Sequence, residues 1–268
     1  MQKQQIYRNL NSLQDFGFNH KKGGTHTSRT IMLGELEGLL SYVHDFDALK
    51  ADYYRAIVEE NCLRKPSAKT RLLTFRHLVE LYLLDSSYLL FRALIFFWQR
   101  DELARPLLAL LCAYSRDNLL RSTASMVLRY ERDKVLPAAL LAQYIEQQEP
   151  GRFSPVTLAS TTRNLLSTWT KSGHLLGKSG KQRSRVIATP GAVAYALLLG
   201  YLTNHRGKNL FATEYMNLLD CSTEQAIELA EEASRRGWIV FKRVGTVMEV
   251  LFPNLLNLKE QEWIREQG

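Results

Sequence analysis

At 268 residues the chain is long enough for two domains, or for one domain with an appended module, and its hydrophobic share of 46% predicts folding without metals or disulfides. Cys62, Cys112 and Cys221 are isolated, with no Cys-x-x-Cys spacing. They argue against a disulfide framework or a zinc site and fit small core residues in a reducing cytoplasm. The net charge of +8 calls for an anionic partner.

Residues 1–27 are polar and hold no helical period beyond a turn or two, which predicts a mobile arm or a short helix and loop. Lys3, Gln4, Gln5 and Arg8 precede any sustained apolar run, unlike a secretory signal. In Lys21-Lys22-Gly23-Gly24 the lysines precede the glycines, the reverse of a Walker loop. His20 and His26 have no third ligand near them in sequence, so solvated histidines are expected and no metal.

From 28 to 135 the pattern is helical almost throughout, with short polar connections, and predicts an all-α bundle. Leu33, Leu36, Leu39, Leu40 and Val43 mark one helix, and Leu49, Tyr53, Ile57 and Val58 the next. A third, headed by Ser67 after Pro66, runs through Leu72, Phe75, Leu78 and Tyr82. The apolar stretch 78–98 is interrupted by Glu80, Asp85, Ser86-Ser87 and Arg92, well short of the ~18 uninterrupted apolar residues of a membrane span. It reads as two buried helices joined near Asp85. Arg64, Lys65, Lys69, Arg71 and Arg76 form a basic cluster at the start of the third helix, a secondary set of candidate nucleic-acid contacts. Asp45 and Asp47 with Lys50 lack nuclease spacing, and neither a Ser/His/Asp nor a Cys/His arrangement stands out; His77 reads as packing or capping. No catalytic residue, cofactor, metal or small-molecule substrate is expected.

Residues 136–205 read as a basic module. Between 150 and 213 there is no Asp or Glu, while Arg152, Arg163, Lys171, Lys178, Lys181, Arg183, Arg185, Arg206 and Lys208 contribute nine positive charges, leaving 26 Lys and Arg against 27 Asp and Glu elsewhere. A supporting helix over 137–147 precedes Ser154-Pro155, an N-cap with proline at the first helical position. In the helix that follows, Leu158, Thr162, Leu165, Leu166 and Trp169 share one side, and Ser160, Arg163, Asn164, Ser167 and Lys171 the other. Gly173 ends it. His174-Leu175-Leu176 reads as a strand, 177–182 as a glycine-punctuated turn and 183–188 as the returning strand, the order of a winged helix-turn-helix. Hydroxyls and amides on the helix can reach phosphates or base edges, and Lys178, Lys181, Arg183 and Arg185 on the wing can neutralise a nucleic-acid backbone. The alternative is a solvated helix beside a mobile basic loop.

Residues 206–268, with a helix over 190–204 before them, repeat the plan. Ser222 and Gln225 frame a helix over 223–236, Gly237 stops it, and 238–244 and 247–252 flank a Gly245-Thr246 turn. Here Glu224, Glu228, Glu231 and Glu232 line the outer face and would repel phosphate, so this unit reads as structural or protein-contacting, with Lys242 and Arg243 as auxiliary contacts. A last helix uses Leu255, Leu258, Trp263 and Ile264. The expected class is mainly α, a helical bundle followed by winged-helix-like helix plus β-hairpin units.

Two runs carry a resemblance. Val58-Glu59-Glu60-Asn61-Cys62-Leu63-Arg64-Lys65-Pro66-Ser67-Ala68-Lys69-Thr70-Arg71 and Ala188-Thr189-Pro190-Gly191-Ala192-Val193-Ala194-Tyr195 are similar to segments of the BrxA family, accessory proteins of bacterial BREX phage-resistance systems. The likeness spans roughly residues 28–252, and neither run is a catalytic signature. It implies a non-enzymatic, mainly helical cytoplasmic protein that binds double-stranded DNA and works beside other BREX components, and it transfers no catalytic residue. A protein-protein scaffold and an RNA-binding helical protein are the competing readings.

Overall fold

A computed structural model describes residues 12–19 and 24–267. The chain is mainly helical, with 60% of the described residues in helices and, among them, two small β-hairpins that each follow a helix. In order, the elements are α1 (Leu33–Leu40), α2 (Lys50–Tyr54) running into a π-turn (Arg55–Glu59), α3 (Ala68–Tyr82), α4 (Leu89–Arg100), α5 (Arg105–Tyr114), α6 (Asn118–Arg129), α7 (Ala138–Gln148) and α8 (Pro155–Lys171). Then come β1 (Leu175–Leu176), β2 (Gln182–Arg183), α9 (Pro190–Leu202), α10 (Glu214–Asn217), α11 (Thr223–Arg235), β3 (Val240–Val244), β4 (Val247–Leu251) and α12 (Leu258–Gln267). Among the described residues no helix is long and apolar enough to cross a membrane. The apolar stretch 78–98 is broken after Tyr82 and resumes at Leu89, where the Asp85 carboxylate accepts the Ser87 amide and hydroxyl.

Contacts group the chain into two units, neither of them continuous in sequence. One joins Asn19–Leu84 to Cys112–Val186; the other joins the described part of Met1–Phe18 to Asp85–Leu111 and Ile187–Gly268. The segment 136–205, which the charge pattern marks as one module, is thus shared between them at Val186.

In the unit that holds α8, α6, α7 and α8 pack in succession and α8 leads into the short hairpin. β1 and β2 are antiparallel, with Leu175 opposite Arg183 and Leu176 opposite Gln182. A third strand-like segment is added by the chain before α7: Val135 bridges Gln182, the Leu136 amide donates to the Lys181 carbonyl at 2.8 Å, and the Arg183 amide donates to the Lys134 carbonyl at 2.9 Å. The order helix, strand, helix, helix, hairpin is winged-helix-like, and the extra strand closes one edge of the hairpin.

In the other unit α9 is buried on nearly every side, and α4, α10 and α11 pack around it. Its amino end is locked where the Gly191 amide donates to Asp101 Oδ2 at 2.8 Å. A Cβ on Gly191 would come 2.8 Å from the Asp101 side chain, so only glycine permits that approach. α12 is held by the buried Glu260, whose two carboxylate oxygens lie 2.7 and 2.8 Å from the one Arg92 Nη2 that donates to them.

Of the two expectations for 1–27, the described residues match the short helix and loop, with a 3-10 turn over Leu13–Phe16, but this part is packed and not an arm in solvent. Phe16 and Phe18 are buried, with Phe16 against Trp263 at 4.8 Å and Phe18 against Tyr215 at 6.5 Å. Thr25 and His26 are buried as well, so His26 is not a solvated histidine. Two aromatics in a polar stretch make no period, yet each removes a large apolar area from water when docked. His20 and Lys21 to Gly23 lie outside the described residues.

Candidate nucleic-acid interface

α8 begins where the Ser154 hydroxyl accepts the Thr157 amide, with Pro155 in the first turn, and ends before Gly173, whose φ of 88° belongs to the left-handed region. Its inward side is as the period predicts: Thr162, Leu165, Leu166 and Trp169 are buried and Leu158 is half-buried. Its outward side is narrower than the period predicts. Arg163 and Lys171 are exposed, but Ser160, Asn164 and Ser167 are half-buried.

At Asn164 the narrowing comes from the segment 24–31, which lies along one flank of α8. The Asn164 amide donates to the His26 carbonyl at 3.0 Å, the Thr168 hydroxyl accepts the Ile31 amide at 3.0 Å, and the Lys171 ammonium donates to Thr30 Oγ1 at 2.8 Å. His26 Nδ1 lies 2.7 Å from Asp117 Oδ2 and His26 Nε2 lies 2.8 Å from Thr168 Oγ1. A carboxylate only accepts, so Nδ1 carries the donated proton; in the neutral ring Nε2 accepts from the threonine hydroxyl. Asp117 also accepts the Leu119 and Leu120 amides at the start of α6. Burial resists ionisation of Asp117, but the His26 ring and the Leu120 and His26 amides outweigh it and hold the carboxyl below its usual range. Asn164 therefore holds this segment through its side-chain amide nitrogen.

The wing divides its four expected contacts in the same way. Lys178 and Arg185 are exposed. Lys181 is half-buried and donates to the Gly177 carbonyl at 2.8 Å, drawing the turn closed. Gly177 is obligatory there: its φ is 97°, and a Cβ would come 2.2 Å from the Gly180 carbonyl oxygen.

Arg183 is the main correction, because only 1% of it is exposed. Its Nε donates to the Val127 carbonyl at 3.0 Å and its Nη atoms to the Leu128 and His174 carbonyls at 3.4 Å, with the Ser184 carbonyl also in contact. The guanidinium caps the carboxyl end of α6, where the last carbonyls and the negative pole of the helix favour a cation. Period-two alternation along β2 alone could have signalled this, since Arg183 sits opposite the buried Leu175.

Carboxylates absent from this stretch of sequence approach it in space. Glu149 pairs with Arg152, and Glu146 accepts the Gly151 amide at 2.8 Å. Glu35 of α1 binds Lys65 at 3.1 Å and also feels Lys171. Burial opposes its ionisation, yet the Lys65 ammonium prevails and keeps the carboxyl below its usual range. Each of the three has a donor, whereas Asp133, whose amide donates to the Arg183 carbonyl at 2.9 Å, is exposed beside the wing.

The secondary cluster is partly consumed. Arg64 and Lys69 are exposed, whereas Lys65 belongs to the Glu35 pair and Arg71 donates to the Val58 carbonyl at 2.7 Å. No group of His, Cys, Asp and Glu able to hold a metal occurs among the described residues. Two projecting residues escape a search for charge: Val156, two positions after the N-cap of α8 and 80% exposed, and Leu176 on the wing, 53% exposed. Comparison with protein-family models finds no match, and no curated protein matches the sequence.

Proposed function

We propose that this is a non-enzymatic DNA-binding accessory protein that meets duplex DNA with the exposed side of α8 and the wing after it, mainly through phosphate contacts. The observation that carries the reading is the exposure of Arg163, Lys171, Lys178 and Arg185 on a winged-helix-like helix and wing, where Glu35, Glu146 and Glu149 each have a donor of their own and the exposed Asp133 is the carboxylate left beside the wing. The BrxA resemblance supports the same reading and adds a cytoplasmic setting and the other components of a BREX-type phage-defence system as partners. Arg64 and Lys69 are auxiliary candidates.

Four phosphate contacts release about four counterions, so affinity for a random-sequence duplex should fall roughly a hundredfold between 50 and 200 mM salt. Fluorescence anisotropy on the purified chain measures this. The triple change Arg163→Glu, Lys178→Glu and Arg185→Glu should abolish binding with the thermal midpoint unchanged; undiminished binding, or a wild-type affinity indifferent to salt, defeats the proposal. Competition with structured RNA separates the RNA-binding reading. A protein scaffold is favoured by one observation, the apolar tip of the second hairpin, where Val244 and Val247 are 79% and 71% exposed. Capture of a partner protein by a chain that binds no nucleic acid would favour it.

A further inference from the structure

Once α8 is placed against a duplex, the side chains that project from its first two turns decide whether it reads sequence. At the spacing i, i+3, i+4, i+7 these are Val156, Ala159, Ser160 and Arg163. The Ser160 hydroxyl donates back to the Thr157 carbonyl at 2.9 Å, and Asn164 beside the stripe is held by His26. Two exposed aliphatic groups, Val156 and Ala159, therefore lead the helix, with Arg163 one turn further on.

Val156 serves no purpose in the fold that would explain it. It is 80% exposed, so it adds little to the core, and a β-branched residue is a poor helix former. An aliphatic side chain makes no bond to phosphate. On a DNA-reading helix it does have one matching group, the C5-methyl of thymine, which lines the major groove. The first residues of the second helix of a helix-turn-helix are also those that approach base edges.

We infer that Val156, assisted by Ala159, makes the protein selective for thymine methyl groups in the major groove, with Arg163 anchoring the same helix on the adjoining base edge or phosphate. The inference rests on the DNA-binding reading and sharpens it. Uracil lacks the methyl group, and the deep, narrow major groove of an RNA duplex excludes the helix, so this surface favours DNA over RNA.

The test uses the full chain and a duplex enriched from a random library by repeated capture. Each thymine in that duplex is replaced in turn by deoxyuridine, and affinity is measured by anisotropy at one fixed salt concentration. One or two positions should lose affinity by roughly three- to fivefold, the size of one buried methyl group. In Val156→Ser the ratio of thymine to deoxyuridine affinity at those positions should collapse to about one, while Val156→Thr, which keeps a methyl, should retain part of it. Melting curves of both variants should match the wild type, since the side chain is exposed. A wild type that binds tightly but treats thymine and deoxyuridine alike, or a Val156→Ser variant that still distinguishes them, overturns the inference and leaves DNA binding standing. A wild type that binds no duplex overturns both.

Discussion

The two helix-and-hairpin modules obey one set of local rules and present opposite surfaces. α8 and α11 are both capped by a serine hydroxyl, Ser154 on the Thr157 amide and Ser222 on the Gln225 amide, and both are followed by a left-handed glycine, Gly173 or Gly237. Outside those caps they diverge. α8 exposes Arg163 and Lys171, whereas α11 exposes Glu224 and Glu228 with Glu231 and Glu232 half-buried beside them. The hairpins differ in what holds them. The short β1–β2 pair is bound to the segment around Val135 and to α6 by Arg183, while the longer β3–β4 pair has five-residue strands and is tied at its base by the Ser234 hydroxyl, which accepts the Phe241 amide, and by Asn254, which donates to the Gly237 carbonyl. Caps and core make the shape; outward residues set what can touch it.

This comparison can be broken at its supports. The largest effect is expected for Asp117→Ala, which removes an N-cap and leaves His26 and several amides without their buried acceptor. A loss of about 3 kcal/mol is expected in urea unfolding, together with faster amide exchange at Ile31 as the segment over α8 loosens. The depressed Asp117 pKa fixes the sign of the acid response. Its stabilisation is complete above the ordinary aspartate value of about 3.9 and is lost as the pH falls through that value towards the lower folded one. Thermal melts should therefore show a smaller drop in midpoint below about pH 4 for Asp117→Ala than for the wild type.

Arg183→Met comes next, at about 2–3 kcal/mol, because the aliphatic stem is kept but the carbonyls of Val127, Leu128 and His174 lose a buried donor. Its diagnostic is the salt slope of DNA affinity, which should stay near the wild-type value because the residue touches no phosphate. A slope reduced by about one would return Arg183 to the contact surface. In the second module Asn254→Ala should cost about 1 kcal/mol, read as a small fall in the unfolding midpoint. The smallest effect belongs to Glu224→Gln with Glu228→Gln, which should change stability by less than about 0.5 kcal/mol. If that pair alone turned α11 into a strong DNA binder in the anisotropy assay, charge would be the whole difference between the modules.

Much of this organisation was legible along the chain. Helical periodicity, the serine caps and the punctuating glycines act within a few residues, so α8, α11 and both hairpins stand where the pattern puts them. The hairpin boundaries were less legible: the returning strand expected over 183–188 is only Gln182–Arg183, since its partners are Leu175–Leu176 and the short, charged Asp133–Leu136 segment that shows no alternation. The basic cluster at 64–71 likewise read as open surface until Glu35, distant in sequence, came to pair with Lys65.

The order of the amino acids by itself determined the local elements, the absence of carboxylates between 150 and 213 and hence where positive charge collects. Only the tertiary structure decided which of those cations face solvent. Arg183 turned inward because the carbonyls at the end of α6 accept its guanidinium, and Asn164 was taken by a segment almost 140 residues earlier in the chain. Period and composition describe which way a side chain points from its own element. What it meets there depends on parts of the chain that no local pattern encodes.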